Sequence, residues 1–210
     1  MKQPISIMCY GDSNTYGYNP ENGMRYPSKV RWTGILQKKL GSKYQIIEEG
    51  CNGRTAFAVP EDEPWKFGGH GLEVCLNTHK PIDIFVIMLG SNDLKTHFDA
   101  SPDDIAGGVK SIIERAKEFL TIKQGYAPKT VVFSPAVLGD GFGPDDEFDQ
   151  VSKEKSEGFA VAFAKIAVET GSFFMNAAQY IESSKIDSLH LDPKAHAKLA
   201  EASENFIKSV

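Results

Sequence analysis

Ile5-Ser6-Ile7-Met8-Cys9-Tyr10-Gly11-Asp12-Ser13-Asn14-Thr15 opens on an apolar run, Ile5 to Cys9, and breaks into a turn of small polar residues. A short run of this kind, bounded by a turn, suits a strand buried on both faces of a parallel sheet. Four more runs follow: Tyr44 to Ile47, Ile82 to Leu89, Thr130 to Phe133 and Phe173 to Met175. Helical patterns lie between them. Trp32, Ile35, Leu36 and Leu40 share one face, and Gly41 then supplies a left-handed stop. Ile105, Val109, Ile112, Ala116 and Phe119 form a longer stripe, with Ser101 as cap, Pro102 at the first helical position and Asp104 where a capping-box acid lies. Another helix is expected from Val151 to Glu169, burying Phe159, Phe163, Ile166 and Ala167, and a last one starts at Pro193 behind Asp192. Strands alternating with helices imply βαβ units. The expected fold is α/β: a three-layer α/β/α sandwich on a five-stranded parallel sheet.

A chain of 210 residues, 41% hydrophobic, suits one domain, residues 1–210. Its net charge of -5, with Lys and Arg scattered, gives no footprint for nucleic acid or an anionic membrane. No apolar stretch approaches the roughly 20 residues that span a bilayer, and the first apolar run reads as a strand rather than a signal peptide. Cys9, Cys51 and Cys75 show neither disulfide arithmetic nor metal spacing, which fits a reducing compartment and a cytoplasmic location. Two segments resist the strand and helix pattern, residues 55–71 and 136–150; loops this long in a compact domain are usually functional or mobile.

In open parallel sheets ligands bind beyond the carboxyl ends of the strands. Gly11-Asp12-Ser13-Asn14-Thr15 follows the first strand, Asn52-Gly53-Arg54-Thr55 the second and Gly90-Ser91-Asn92-Asp93 the third, while Asp187-Ser188-Leu189-His190 precedes the last helix. A serine hydroxyl is a weak nucleophile until a base takes its proton, and that base needs a third group to hold its orientation. Asp187 and His190, three apart on a turn, can supply both and face Ser13. His196 competes for the base but lies inside the last predicted helix, and Asp192 is better used as that helix's cap. The backbone N–H groups of Ser13 and Gly53 and the side-chain amide of Asn92 can serve as donors to a developing oxyanion.

These four segments resemble, in order, the motif blocks of the Ser-Gly-Asn-His hydrolases, also called GDSL esterases. The resemblance spans Gly11 to His190. It implies a nucleophile at Ser13, an oxyanion hole of Ser13, Gly53 and Asn92, and a triad completed by Asp187 and His190. Arg31-Trp32-Thr33-Gly34, Glu48-Glu49-Gly50, Gly53-Arg54-Thr55 and Ile87-Met88-Leu89-Gly90-Ser91-Asn92-Asp93 are similar to the arylesterase and acyltransferase branch. Two departures stand out: Asn14 occupies the position of the family's Leu, and Tyr16 and Tyr18 stand where the acyltransferase branch has tryptophans.

The activity implied is hydrolysis of short, acetyl-like acyl esters through an acyl-enzyme, with acyl transfer as a side reaction. The substrate partner is then a small-molecule ester, and a homo-oligomer is implied by the resemblance. Asp12, Asn14, Tyr16, Trp65 and Phe142 are the expected substrate-binding residues. His70, His79 and His97 show no zinc spacing, so neither metal nor organic cofactor is expected. Two other readings compete. A deacetylase of carbohydrates or small metabolites would use the same triad, whereas a flavin- or phosphate-binding module would have no use for Asp187-x-x-His190 or Asn92. The Gly-x-Ser-x-Gly elbow of α/β-hydrolases is absent around Ser13.

Because an imidazole accepts a proton only when neutral, activity is expected to fall as the pH drops below about 6. A rate profile that stays flat down to about pH 4 would contradict a histidine base.

Overall fold

Successive side chains of a strand point to opposite sides of its sheet, and in β1 (Ile5–Gly11) both sides are apolar. Ile7 and Cys9 join one core, Met8 and Tyr10 the other. Such a strand belongs in the interior of a sheet. The computed structural model describes residues 3–144 and 146–210; Met1, Lys2 and Asp145, the last within the second long loop, lie outside them. It places β1 in a five-stranded parallel sheet of order β2-β1-β3-β4-β5, with β2 (Tyr44–Gly50), β3 (Ile84–Met88), β4 (Lys129–Ser134) and β5 (Phe173–Asn176).

One face of the sheet is covered by α2 (Trp32–Leu40) and α7 (Pro193–Ile207), which bury Trp32, Leu36, Leu199 and Ile207. The other face is covered by α3 (Leu72–His79), α4 (Pro102–Gln124) and α6 (Phe159–Thr170), whose Leu76, Val109, Ile112 and Phe163 are fully or almost fully buried. The three-layer sandwich read from the sequence is the fold observed. Its helix starts also agree: the hydroxyl of Ser101 accepts the N–H of Asp104 at 3.2 Å while the Asp104 carboxylate accepts the N–H of Ser101 at 3.1 Å. Asp192 caps α7 through the N–H of Ala195, 2.7 Å away.

Two readings change. The single helix expected over residues 151–169 is two, α5 (Gln150–Glu157) and α6, joined at Gly158. The Gly158 N–H turns back three residues to Lys155 O, and glycine in a helix interior gives little resistance to such a break. Helix α3 was not anticipated; Val74, 70% exposed in its middle, blurs the stripe made by Leu72 and Leu76.

The first long loop is firmly held. Asp93, fully buried, accepts the N–H groups of Ala56, Phe57 and Ala58 at 2.8, 2.8 and 2.9 Å, and the Tyr10 hydroxyl donates to Gly68 O at 2.7 Å. Burial pushes the Asp93 pKa up to about 6, against the pull of those three donors.

His196 belongs to the core. Fully buried on α7, its Nδ1 accepts the N–H of Trp32 at 3.3 Å, so it caps the start of α2, where Arg31 offers no side-chain cap. Its ring meets Tyr26 edge-on. Burial lowers its pKa from 6.5 to about 4.

Two outcomes follow. The unfolded chain protonates His196 below about 6.5 and the folded chain only below about 4, so stability from this group is present above 6.5 and lost as the pH falls through that window. In His196→Asn the side-chain oxygen can still accept the Trp32 N–H but no longer titrates. Urea unfolding at pH 7 and pH 5 should show the variant losing about 2 kcal/mol less than the wild type between the two; equal losses would refute it. Asp93→Ala leaves three loop N–H groups without their acceptor and should cost about 3 kcal/mol in the same assay at pH 7.

Candidate active site

β1 ends at Gly11, and the chain turns at once into α1 (Ser13–Tyr16), a single helical turn. Asp12 caps it: Oδ1 accepts the N–H of Asn14 at 2.9 Å. The carboxyl of Asp12 is 1% exposed, and burial pushes its pKa up to about 6. Ser13 takes the first helical position, where a backbone N–H has no partner within the helix.

His190 arrives from the segment before α7. Its Nε2 lies 2.9 Å from Ser13 Oγ and its Nδ1 2.5 Å from Asp187 Oδ2. Asp187 Oδ1 also accepts the N–H groups of Leu189 and His190, at 3.2 and 3.0 Å. Burial works to raise the Asp187 pKa, but the hydrogen bonds and charge of His190 outweigh it and hold the carboxyl below the usual range. The turn is tight, with Ser188 at φ 58°, and it packs on the second long loop. Gly139 N–H donates to Ser188 O at 2.8 Å, where a side chain on Gly139 would have its Cβ only 2.7 Å from Ser188 Oγ.

The other two expected donors come from neighbouring strand ends. Gly53 turns beyond β2 at φ 76°, a left-handed conformation that glycine adopts without strain. Asn92, 5% exposed, donates through Nδ2 to Arg54 O at 3.1 Å, which leaves its second amide hydrogen for another acceptor. Arg54 joins the pieces. Its Nη1 donates to Gly11 O at 2.8 Å and to Glu49 O, and its guanidinium lies 4.0 Å from the Tyr10 ring centroid. In the sequence Arg54 is one residue of the Gly53-Arg54-Thr55 motif; its bracing contacts go to main-chain oxygens, which carry no side-chain pattern.

The expected substrate-binding residues make the following contacts within the fold. Asp12 caps α1. Tyr16 lies against the Arg25 guanidinium, 4.7 Å from its ring centroid, and Asn14 is hydrogen-bonded to main chain near His190. Trp65 stands 60% exposed with the Lys66 ammonium over its ring, and Phe142 packs on Phe148 against the core. The ring of Tyr18, which stands where the acyltransferase branch has a tryptophan, lies 4.3 Å from that of His190, tilted by 33°.

A polar cavity of about 360 Å³ adjoins Gly53, lined among others by Glu61, Asp62, Lys66, Lys95 and Glu147. Among the described residues no group of His, Cys, Asp and Glu is arranged to hold a metal ion. No described helix is long and apolar enough to cross a membrane.

Solved structures similar to this chain include the aryl esterase of M. smegmatis, 31% identical, with a TM-score of 0.91 over 98% of this chain and 99% of that one. A carbohydrate acetylesterase from Sinorhizobium meliloti is 30% identical, with a TM-score of 0.91 and the same coverage. No curated protein sequence matches significantly. The model of the GDSL-like lipase/acylhydrolase family matches residues 9–198. The chain, with this sheet and this likeness over nearly all its length, belongs to that family and is a carboxylic ester hydrolase.

Proposed function

We propose that the protein cleaves short acyl esters through an acyl-enzyme on Ser13. The observation that carries this reading is the unbroken hydrogen-bonded line from Asp187 through His190 to Ser13, at 2.5 and 2.9 Å. Ser13 Oγ attacks the ester carbonyl as His190 Nε2 takes its proton, and Asp187 holds the imidazole with Nε2 turned to the serine and balances its positive charge. The oxyanion forms between the N–H groups of Ser13 and Gly53 and the remaining amide hydrogen of Asn92. His190 then returns the proton to the departing alcohol oxygen. Water, activated by the same imidazole, attacks the acyl carbon and frees Ser13; an alcohol in its place would complete acyl transfer.

A second reading, release of acetyl groups from a carbohydrate, is favoured by the polar cavity beside Gly53. Its carboxylates and ammonium groups suit a hydroxyl-rich alcohol better than an aryl ring. The acetylesterase resemblance supports the same direction.

Hydrolysis of p-nitrophenyl acetate, butyrate and octanoate should be fastest on acetate, and Ser13→Ala should lower kcat/KM by about 10⁴-fold or more. Preference for octanoate would refute the short-acyl reading, and wild-type rates in Ser13→Ala would refute the nucleophile. Acetylated sugars and phenyl acetate compared at equal concentration decide between the two alcohols: a higher kcat/KM on the sugar supports the second reading.

A further inference from the structure

The residue after Ser13 carries a contact that neither the family resemblance nor the mechanism above uses. Asn14 is 5% exposed, and its side-chain amide spans the chain on both sides of His190. Asn14 Oδ1 accepts the N–H of Leu191 at 3.0 Å, and Nδ2 donates to Leu189 O at 3.4 Å. The main-chain partners decide which way the amide faces, since an N–H only donates and a carbonyl only accepts. Leu189 O has one other donor near it, the Ser183 hydroxyl at 3.4 Å, whose closer acceptor is Val137 O at 2.8 Å. The remaining main-chain anchors of His190, its N–H on Asp187 Oδ1 and its carbonyl on Ser184 N–H, tie it to its own loop rather than to the loop of Ser13.

We propose that Asn14 is a positioning residue that sets the distance between Ser13 and His190 by clamping residues 189 and 191 to the turn that carries the nucleophile. The proposal rests on the reading of Ser13 and His190 as nucleophile and base. Asn14 adjoins Ser13 in a single helical turn, so a displacement of the 189–191 segment relative to that turn is a displacement of Nε2 relative to Oγ. Proton transfer between those atoms is sensitive to such shifts: a misplacement of about 1 Å costs on the order of 100-fold in rate. Leucine matches asparagine in the number and branching of its side-chain heavy atoms, is bulkier because its branches are methyl groups, and has neither hydrogen-bonding atom. Aspartate keeps the acceptor for the Leu191 N–H but turns a second oxygen toward Leu189 O.

The test compares wild type, Asn14→Leu, Asn14→Asp and Ser13→Ala on p-nitrophenyl acetate. The fraction of reactive serine in each preparation is titrated to completion with a fluorophosphonate, and folding is followed by thermal melting. The expected result is that Asn14→Leu loses about 10- to 100-fold in kcat per reactive serine while KM stays within about threefold. Asn14→Asp should fall between it and the wild type. A wild-type kcat per reactive serine in Asn14→Leu overturns the clamp, as does a loss accounted for entirely by fewer titratable serines or by a matching rise in KM. Should Asn14→Leu fail to fold, Asn14→Asp decides, and an unchanged kcat there overturns the proposal. Wild-type activity in Ser13→Ala would instead strike at the underlying assignment, so the two failures are distinguishable.

Discussion

Gly11, the last residue of β1, lies opposite Gly50 in β2 and Met88 in β3. This one row of parallel register brings the site together. Ser13 stands two residues beyond it on β1, Gly53 three beyond on one neighbour and Asn92 four beyond on the other. Because the sheet order runs β2-β1-β3, the chain leaves β1 toward one side and crosses back over it to reach β3. Connections that diverge in this way open a crevice at the carboxyl ends of the strands, and that is where these residues gather. A slip of one residue would also turn the apolar side chains of β1 onto the wrong cores, so the packing that stabilises the sheet and the alignment of the site are the same constraint.

Main-chain atoms hold the loops above that row. Asp93 gathers three N–H groups of the loop after Gly53, Arg54 spans the carbonyls at the ends of β1 and β2, and Asp12 caps the turn bearing Ser13. Each is a polar or charged side chain in or beside the core, where an unmet group would be costly and a satisfied one is rigid. Asp187 plays the same part on the opposite side, with one oxygen on the imidazole and the other on backbone N–H groups of its own turn. Asp12 and Asp93 are almost wholly buried, and the Ser13 to His190 contact they flank is itself part-buried, with Ser13 4% exposed.

The strands, the helix caps and the four polar segments were legible because each follows from short-range rules. Unbroken apolar runs mark strands covered on both faces, Ser101-Pro102 and Asp192-Pro193 mark helix starts, and the polar segments sit where strands end. What escaped depends on contacts distant in sequence or on an atypical surface. Helix α3 hid behind the exposed Val74, and the apolar spacing that marked the helix expected over residues 151–169, Phe159 to Ala167, lies wholly after the break at Gly158. His196 could be set aside as the base from its place in a helix, but its use as the cap of α2 required knowing that α7 packs beside α2. Loop position alone does not separate Trp65 from Phe142, yet one faces outward and the other packs inward.

The bonds from Asn14 to Leu189 and Leu191, like those from Asp93 to residues 56–58, end on peptide groups rather than side chains. Any residue other than proline at position 191, and any residue at all at 189, presents the same N–H or carbonyl. Mutational drift at those partner positions is thus free to proceed without a compensating change at position 14. Among homologues such a contact would leave no pairwise covariation, so a method that infers proximity from correlated substitutions would pass over a link that joins the turn of Ser13 to the segment of His190.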